Sequence, residues 1–189
     1  MKKSQEIEIK FRVDGIGMRA MERRLRKAGF RKITPRTHEM NTLYDLPGQV
    51  LRRKSELLRL REYGKRWVLT HKGKGKVGRH KSRVETETGV EKGLKMDAIL
   101  RHLGYAPIFR YEKFRSEWTD GTGHVVLDET PIGQLGEIEG PARWIDRTAR
   151  SLGIARDKYM TDTYTELFAE WKRKTHSKAR EMTFAAVKK

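Results

Sequence analysis

The 189-residue sequence predicts an α+β protein in which about eight antiparallel strands close into a β-barrel with helices packed outside. Three observations support this fold class. Charged and apolar residues alternate with a period of two in separate short segments, which indicates strands with one polar and one apolar face. These segments are joined mostly by hairpin turns or by single helices. The polar faces carry both carboxylates and cations, and closing the sheet would bring those faces together around a central space.

The opening stretch, residues 6–13, shows this alternation most clearly. Glu6, Glu8, Lys10 and Arg12 fall on one face of the predicted strand, and apolar residues occupy the other face. Two carboxylates that lie two residues apart repel each other, and a divalent cation would remove the repulsion. A solvated strand face would give the same pattern, so the later strands must decide between the two interpretations.

A helix and a second strand follow the opening strand. Apolar residues at helical spacing between Met18 and Ala28 predict a helix that ends at Gly29. Residues 34–45 form the next predicted strand, which runs into a Pro-Gly turn.

The next predicted hairpin carries basic side chains. Its strands span residues 57–62 and 66–72, and a turn containing glycine joins them. Arg59 and Arg61 share one face of the first strand, and Lys72 lies on the polar face of the second. Because arginine forks fit phosphate oxygens bidentately, this hairpin predicts one wall of an anion-binding site.

The glycine- and lysine-rich segment 73–78 hints at a phosphate-binding loop. Arg-His follows it where a P-loop requires Lys followed by Ser or Thr, so we interpret it as a mobile basic loop. Beyond it, Arg83, Glu85 and Glu87 alternate along another predicted strand.

The second half of the chain repeats the strand pattern. After a predicted helix between Leu94 and Leu103, residues 108–118 form a strand in which Lys113 and Arg115 share a face.

Two further strands bring acidic residues. Asp128 closes the first of them, and Glu137-Ile-Glu139 repeats the opening motif in the second. Apolar residues at helical spacing then predict helices at 144–152 and 164–171, whose apolar faces we interpret as ordinary core packing.

The composition restricts the classes of function. The absence of cysteine excludes disulfides, thiolate metal sites and cysteine nucleophiles. No apolar run approaches the length of a transmembrane helix, and the N-terminus lacks a signal-peptide core. We therefore expect a cytoplasmic protein with no membrane partner.

The formal net charge of +18 predicts an anionic partner. Nucleic acid is the usual partner of such a charge. Here, however, cations alternate with carboxylates along strands, which suits a compact, metal-bound polyanion better than a long phosphate backbone. Residues 172–189 carry part of the charge and lack helical periodicity, so they are a candidate for a disordered basic tail.

A closed barrel would gather the charged faces into one interior, where charges need partners, a metal or a ligand. The acids would then bind a divalent metal: Glu6, Glu8, Asp128, Glu137 and Glu139. The bases would hold a chain of phosphates: Lys10, Arg59, Arg61, Lys72, Lys113 and Arg115.

Seven motifs, in order, resemble signature strands of the CYTH family, also called triphosphate tunnel metalloenzymes. The match runs from Glu6 to about Trp171, so the resemblance implies a CYTH domain over residues 1–171 and leaves only the tail uncovered. The motifs are Glu-x-Glu-x-Lys (6–10), Leu-Arg-Leu-Arg (58–61), Trp-x-Leu-Thr-x-Lys (67–72), Arg-x-Glu-x-Glu (83–87), Glu-Lys-x-Arg (112–115), Val-x-Leu-Asp (125–128) and Glu-Ile-Glu (137–139).

The resemblance implies an eight-stranded antiparallel β-barrel, the triphosphate tunnel, with Mg²⁺ or Mn²⁺ on its acidic cluster. It also implies a triphosphate-containing small molecule as substrate, with Glu85 among the substrate-binding residues, and it is compatible with a homodimer. In hydrolysis, Glu87 or Glu139 would orient the attacking water.

Three functions stay open at this level. Glu139, the second acid of its motif, resembles the triphosphatases that hydrolyse tripolyphosphate, thiamine triphosphate or nucleoside triphosphates, and we favour this class. Residues 103–116 resemble the bacterial class IV adenylyl cyclases, which convert ATP to cyclic AMP and pyrophosphate. A protein that binds polyphosphate or RNA without turnover would carry the same basic charge.

Overall fold

The computed structural model describes residues 4–188. The strands in this part of the chain are β1 (Ser4–Arg12), β2 (Arg31–Asp45), β3 (Leu57–Tyr63), β4 (Arg66–Lys72), β5 (Lys76–Val77), β6 (Lys81–Val90), β7 (Ala106–Thr119), β8 (His124–Thr130) and β9 (Gly133–Glu139). The helices are α1 (Met18–Lys27), α2 (Val50–Arg53), α3 (Gly93–His102), α4 (Ala142–Ser151), α5 (Tyr164–Thr175) and α6 (Phe184–Val187), and a 3-10 turn spans Arg156–Lys158.

Eight of these strands form a closed antiparallel barrel. Their order is β1-β9-β8-β7-β2-β3-β4-β6, and β6 pairs back with β1. The two-residue strand β5 adds to β6 outside this circuit. The α+β class and the eight-stranded antiparallel β-barrel with helices packed outside are therefore confirmed.

The outer faces of the strands are apolar and pack against helices. One core joins Phe11 of β1 and Trp118 of β7 to Ile145 of α4, all nearly fully buried. Gly136 allows the Phe11 ring to lie directly against β9, because a Cβ at that position would be only 2.1 Å from the ring. Burial of these rings and aliphatic side chains fixes which face of each strand turns inward.

The interior of the barrel is apolar at one end. There α5 inserts Tyr164, Leu167 and Phe168 against inward-facing residues that include Leu43 and Phe109. Thr163 caps the helix by accepting a hydrogen bond from the Glu166 backbone N–H, in a capping box. Helix α5 therefore covers this end of the interior and leaves the polar part of the barrel as a cavity.

The predicted disorder of residues 172–189 differs from what the described part of this tail shows. Helix α5 continues to Thr175, and the chain then returns to the barrel. Met182 exchanges backbone hydrogen bonds with Arg110 and Glu112, and its side chain is fully buried. Long-range packing orders the segment, and this leaves no periodic signal in its own sequence.

Two other segments differ from the sequence-based expectation. The segment 73–78, interpreted as a mobile loop, contains the short strand β5. Helix α3 docks mainly through Leu100, whereas Leu94 and Leu103 of its predicted apolar face are 78% and 65% exposed. Among residues 4–188, no helix has the length and apolar character needed to cross a membrane.

Candidate active site in the barrel cavity

The polar inner faces of the strands surround a cavity of about 560 Å³, to which all eight barrel strands contribute. Twelve of the thirteen predicted site residues lie on its wall. They are Glu6, Glu8, Lys10, Arg59, Arg61, Lys72, Glu85, Glu87, Lys113, Arg115, Glu137 and Glu139.

Asp128, the thirteenth, lies behind the wall and is fully buried. Arg115 donates hydrogen bonds to both of its oxygens, at 2.8 and 2.7 Å, and Lys113 donates another at 3.1 Å. The Tyr164 hydroxyl also donates to it. This carboxylate is therefore placed to orient the two cations, and its oxygens are already engaged.

The acidic side of the cavity is formed by β1 and β9. Their antiparallel register sets Glu8 opposite Glu139 and Lys10 opposite Glu137. The buried Lys10 ammonium lies 2.8 Å from Glu8 Oε1 and 3.4 Å from Glu137 Oε1. Although burial acts in the opposite direction, the charges of Glu137 and Glu8 raise the pKa of Lys10.

Carboxylates are crowded at the open side of this wall. Burial raises the pKa of Glu139 to about 7, and the negative charges of Glu6, Glu137 and Glu8 act in the same direction. Burial and a hydrogen bond with Glu6 also raise the pKa of Glu85, so the Glu6–Glu85 pair favours holding a proton. Local negative charge thus exceeds what the neighbouring lysines neutralise.

The basic side of the cavity is built on a carboxylate that the motifs did not single out. Glu39 of β2 is fully buried, and Asn41 donates a hydrogen bond to its Oε1 at 2.8 Å. Its oxygens lie 3.5 Å from Lys113 Nζ, 3.7 Å from Arg61 and 3.9 Å from Arg115. Against the effect of burial, these cations hold the pKa of Glu39 well below its usual range.

Glu39 therefore positions several phosphate-binding candidates at once. The available signal was the pair Glu39 and Asn41, two polar residues of one strand face in an otherwise mixed segment. The pairing of Glu39 with Lys113 across β2 and β7 is visible only in the fold.

Two further cations of β6 line the cavity without having been assigned a role. Lys81 is only 5% exposed, and its ammonium donates to the Thr161 carbonyl at 3.0 Å. Burial and the charges of Arg83 and Lys10 lower the pKa of Lys81 to about 8. Arg83 lies two residues along the same face of the strand.

The donor chemistry of the acidic wall fits a divalent cation. Glu6, Glu8, Glu137 and Glu139 supply hard oxygen ligands of the kind that Mg²⁺ and Mn²⁺ prefer, and the raised pKa of Glu139 indicates negative charge in excess. In the conformation described for residues 4–188, no three acidic or histidine side chains converge as ligands, because Lys10 and Lys72 hold them as ion pairs. A cation would replace these lysine contacts.

The metal-free protein should lose stability as pH rises from about 5 to about 8. Folding raises the pKa of Glu139 from 4.5 to about 7, so between these values the folded state holds a proton that the unfolded state has lost. Thermal melts at about pH 5.5 and about pH 8, with and without Mn²⁺, measure this effect.

The matched control for the melts is Glu139→Gln, which cannot titrate. We expect a smaller fall in Tm with pH for this variant than for the unmodified protein, and Mn²⁺ should stabilise the unmodified protein most at the higher pH. Equal pH dependence of the two proteins would contradict the assignment.

Comparisons with known proteins agree with the fold and the motifs. The family model described as the CYTH domain matches residues 4–181, ten residues beyond the boundary that the motifs indicate at 171. A protein of Methanocaldococcus jannaschii, provisionally named an adenylate cyclase, is 24% identical over 173 residues. The alignment covers 86% of this chain and 97% of that protein.

Two solved structures illustrate the structural similarity. A protein of Vibrio parahaemolyticus, provisionally described as an adenylate cyclase, superposes with a TM-score of 0.78 at 21% identity, covering 89% of this chain and 99% of that one. A Hippeastrum protein provisionally described as an adenylyl cyclase, and reported to have a dominant triphosphatase activity, superposes with a TM-score of 0.60 at 20% identity. It covers 87% of this chain and 95% of that one.

Proposed function

The chain belongs to the CYTH family, and we propose that it is an enzyme that hydrolyses a triphosphate in its barrel cavity with the help of Mg²⁺ or Mn²⁺. The observation that carries this proposal is the division of the cavity wall. Carboxylates of β1 and β9 lie on one side, and Arg59, Arg61, Lys113 and Arg115 lie on the other. This arrangement suits a small polyanion held together with a cation better than a long nucleic acid backbone.

The basic side chains would bind and orient the phosphates. Arg59 and Arg61 offer guanidinium forks from β3, and Glu39 holds Arg61 in position from below. Because catalysis of phosphoryl transfer depends on positioning and charge neutralisation, such pre-oriented cations are the main contribution the protein can make.

The glutamates Glu6, Glu8, Glu137 and Glu139 would hold the divalent cation, which when bound supplies neutralisation of the charge developing on the transferred phosphoryl group. Glu87 and Glu139 are the carboxylates proposed to orient the attacking water. Glu87 accepts a hydrogen bond from Thr70 Oγ1 at 2.9 Å and lies 3.2 Å from Arg61, which fixes its position on the wall.

Class IV adenylyl cyclase activity is the second candidate. It is favoured by the names of the Methanocaldococcus and Vibrio proteins and by the resemblance of residues 103–116 to bacterial cyclases. Hydrolysis is preferred because Glu139 supplies the second acid of the β9 motif, and because the similar Hippeastrum protein is described as chiefly a triphosphatase.

Product analysis by phosphorus NMR separates these functions. Tripolyphosphate, ATP and thiamine triphosphate would each be supplied with Mg²⁺ or Mn²⁺. Release of orthophosphate supports the triphosphatase and ranks the substrates, whereas pyrophosphate with cyclic AMP from ATP supports the cyclase. Tight binding of all three without any product would instead support a binding protein.

Replacing Arg61 by alanine should raise KM about tenfold or more, with a smaller effect on kcat, because the substrate loses charged hydrogen bonds. Steady-state kinetics on the preferred triphosphate measure the change. Arg66→Ala is the control, since Arg66 is an exposed arginine on the adjacent strand β4. An unchanged KM and kcat for Arg61→Ala would contradict the role of Arg61 in binding.

A further inference from the structure

Lys81 and Arg83 differ from the other cations of the cavity wall in having no acidic partner. Lys10, Arg59, Arg61, Lys72, Lys113 and Arg115 each lie within 4.0 Å of a carboxylate. Among residues 4–188, no such ion pair includes Lys81 or Arg83. Their positive charge is therefore uncompensated by the protein.

The Lys81 ammonium is also short of hydrogen-bond acceptors. It can donate three hydrogen bonds, and the Thr161 carbonyl accepts one of them. A buried, charged ammonium with unused donors and a neighbouring arginine is costly unless an anion completes it. Lys81 and Arg83 share the inner face of β6, roughly 6.6 Å apart along the strand, which allows both to contact the same anionic group.

The cavity gives little support to a nucleoside. Its two tyrosines, Tyr111 and Tyr164, stack on each other with ring centres 5.4 Å apart. The ring of Phe109 stacks on Tyr111, and Lys113 Nζ lies 4.4 Å from the centre of the Tyr164 ring. Neither tyrosine therefore presents a free face on which a base could stack.

We propose that Lys81 and Arg83 form a subsite for a terminal phosphate, and that this subsite makes the protein prefer linear inorganic polyphosphate to nucleoside triphosphates. The inference rests on the proposed binding of a triphosphate in this cavity. A linear polyphosphate carries an ionised terminal phosphate at both ends and fills the subsite in either orientation. A nucleoside triphosphate has one such end, and its other end brings a sugar and a base.

Binding measurements test this preference without relying on turnover. Isothermal titration calorimetry with tripolyphosphate and with ATP, in the presence of a chelator, would compare the unmodified protein with Lys81→Met. We expect the unmodified protein to bind tripolyphosphate more tightly, and Lys81→Met to lose about tenfold in tripolyphosphate affinity while changing much less for ATP.

Lys76→Met is the matched control, because Lys76 is an exposed lysine of the neighbouring strand β5, where it lies opposite Ser82. This control should keep both affinities. Arg83→Met removes the second cation from a partly exposed position, and it provides the test if Lys81→Met does not fold in a thermal melt.

Equal losses for tripolyphosphate and ATP, no loss for either, or tighter binding of ATP by the unmodified protein would overturn the subsite. Failure of the proposed hydrolysis is a separate result: the protein would then show the tripolyphosphate preference and its loss in Lys81→Met, yet release no orthophosphate from any substrate.

Discussion

Replacing Glu8 by glutamine is expected to lower metal-dependent turnover at least about a thousandfold, because the proposed cation contributes several kcal/mol and each factor of ten corresponds to about 1.4 kcal/mol. Glu8 lies at the centre of the acidic wall, opposite Glu139 and 2.8 Å from Lys10. Glutamine keeps the volume and an oxygen acceptor for Lys10 but removes the charge. Initial rates across a series of Mn²⁺ concentrations, together with a thermal melt, measure the effect.

Glu91→Gln is the matched control for this substitution, since it makes the same change in an exposed residue just beyond β6. It should leave turnover unchanged. Near-normal turnover by a folded Glu8→Gln protein would refute the proposed metal site on β1 and β9. A rate that recovers at high Mn²⁺ concentration would show that the lost charge acts through cation affinity.

Replacing Arg115 by methionine is expected to destabilise the protein by about 3–5 kcal/mol, the usual cost of removing one partner from a buried ion pair. Its guanidinium connects Asp128, at 2.7 Å, with Glu137, at 2.6 Å, and lies 3.9 Å from Glu39. Without it, three buried carboxylates lose a shared counter-charge. Urea unfolding followed by circular dichroism would give the free energy of unfolding.

Arg36→Met is the control for stability. Arg36 also forms a two-pronged ion pair, with Glu129, but the pair is exposed to solvent and should contribute less than about 1 kcal/mol. Similar losses in the two variants would show that burial of the Arg115 cluster has no special energetic consequence. Activity of Arg115→Met should also fall, because Asp128 and Glu137 would no longer be held in place.

The fold class was accessible from the sequence because each strand has one buried and one polar face. The spacing of Ile7, Ile9 and Phe11 against Glu6, Glu8 and Lys10 gives a period of two that few other structures share. The barrel strands and longer helices were predicted to within a few residues of their observed bounds. Helix α3 shows the limit, since Leu94 and Leu103 have helical spacing yet lie in solvent.

The residues of the cavity wall were also largely accessible, because alternation places all charged residues of a strand on one side. Missing were the residues whose importance depends on their partners. Glu39 is a single acid within a long strand, and its significance comes from Lys113 and Arg115 across β2 and β7. Lys81 is a single lysine beside a basic loop, and its burial comes from the barrel wall.

By itself, the sequence determined which residues face inward, since side-chain direction along a strand is a local property of the backbone. The tertiary structure decided which inward-facing charges meet, because pairing of distant strands brings together residues far apart in the chain. It set Glu8 opposite Glu139, buried Asp128 beneath Arg115, and left Lys81 and Arg83 without acidic partners. Opposite charges on neighbouring strands neutralise one another at a few ångströms, and the charge left over defines where a ligand can bind.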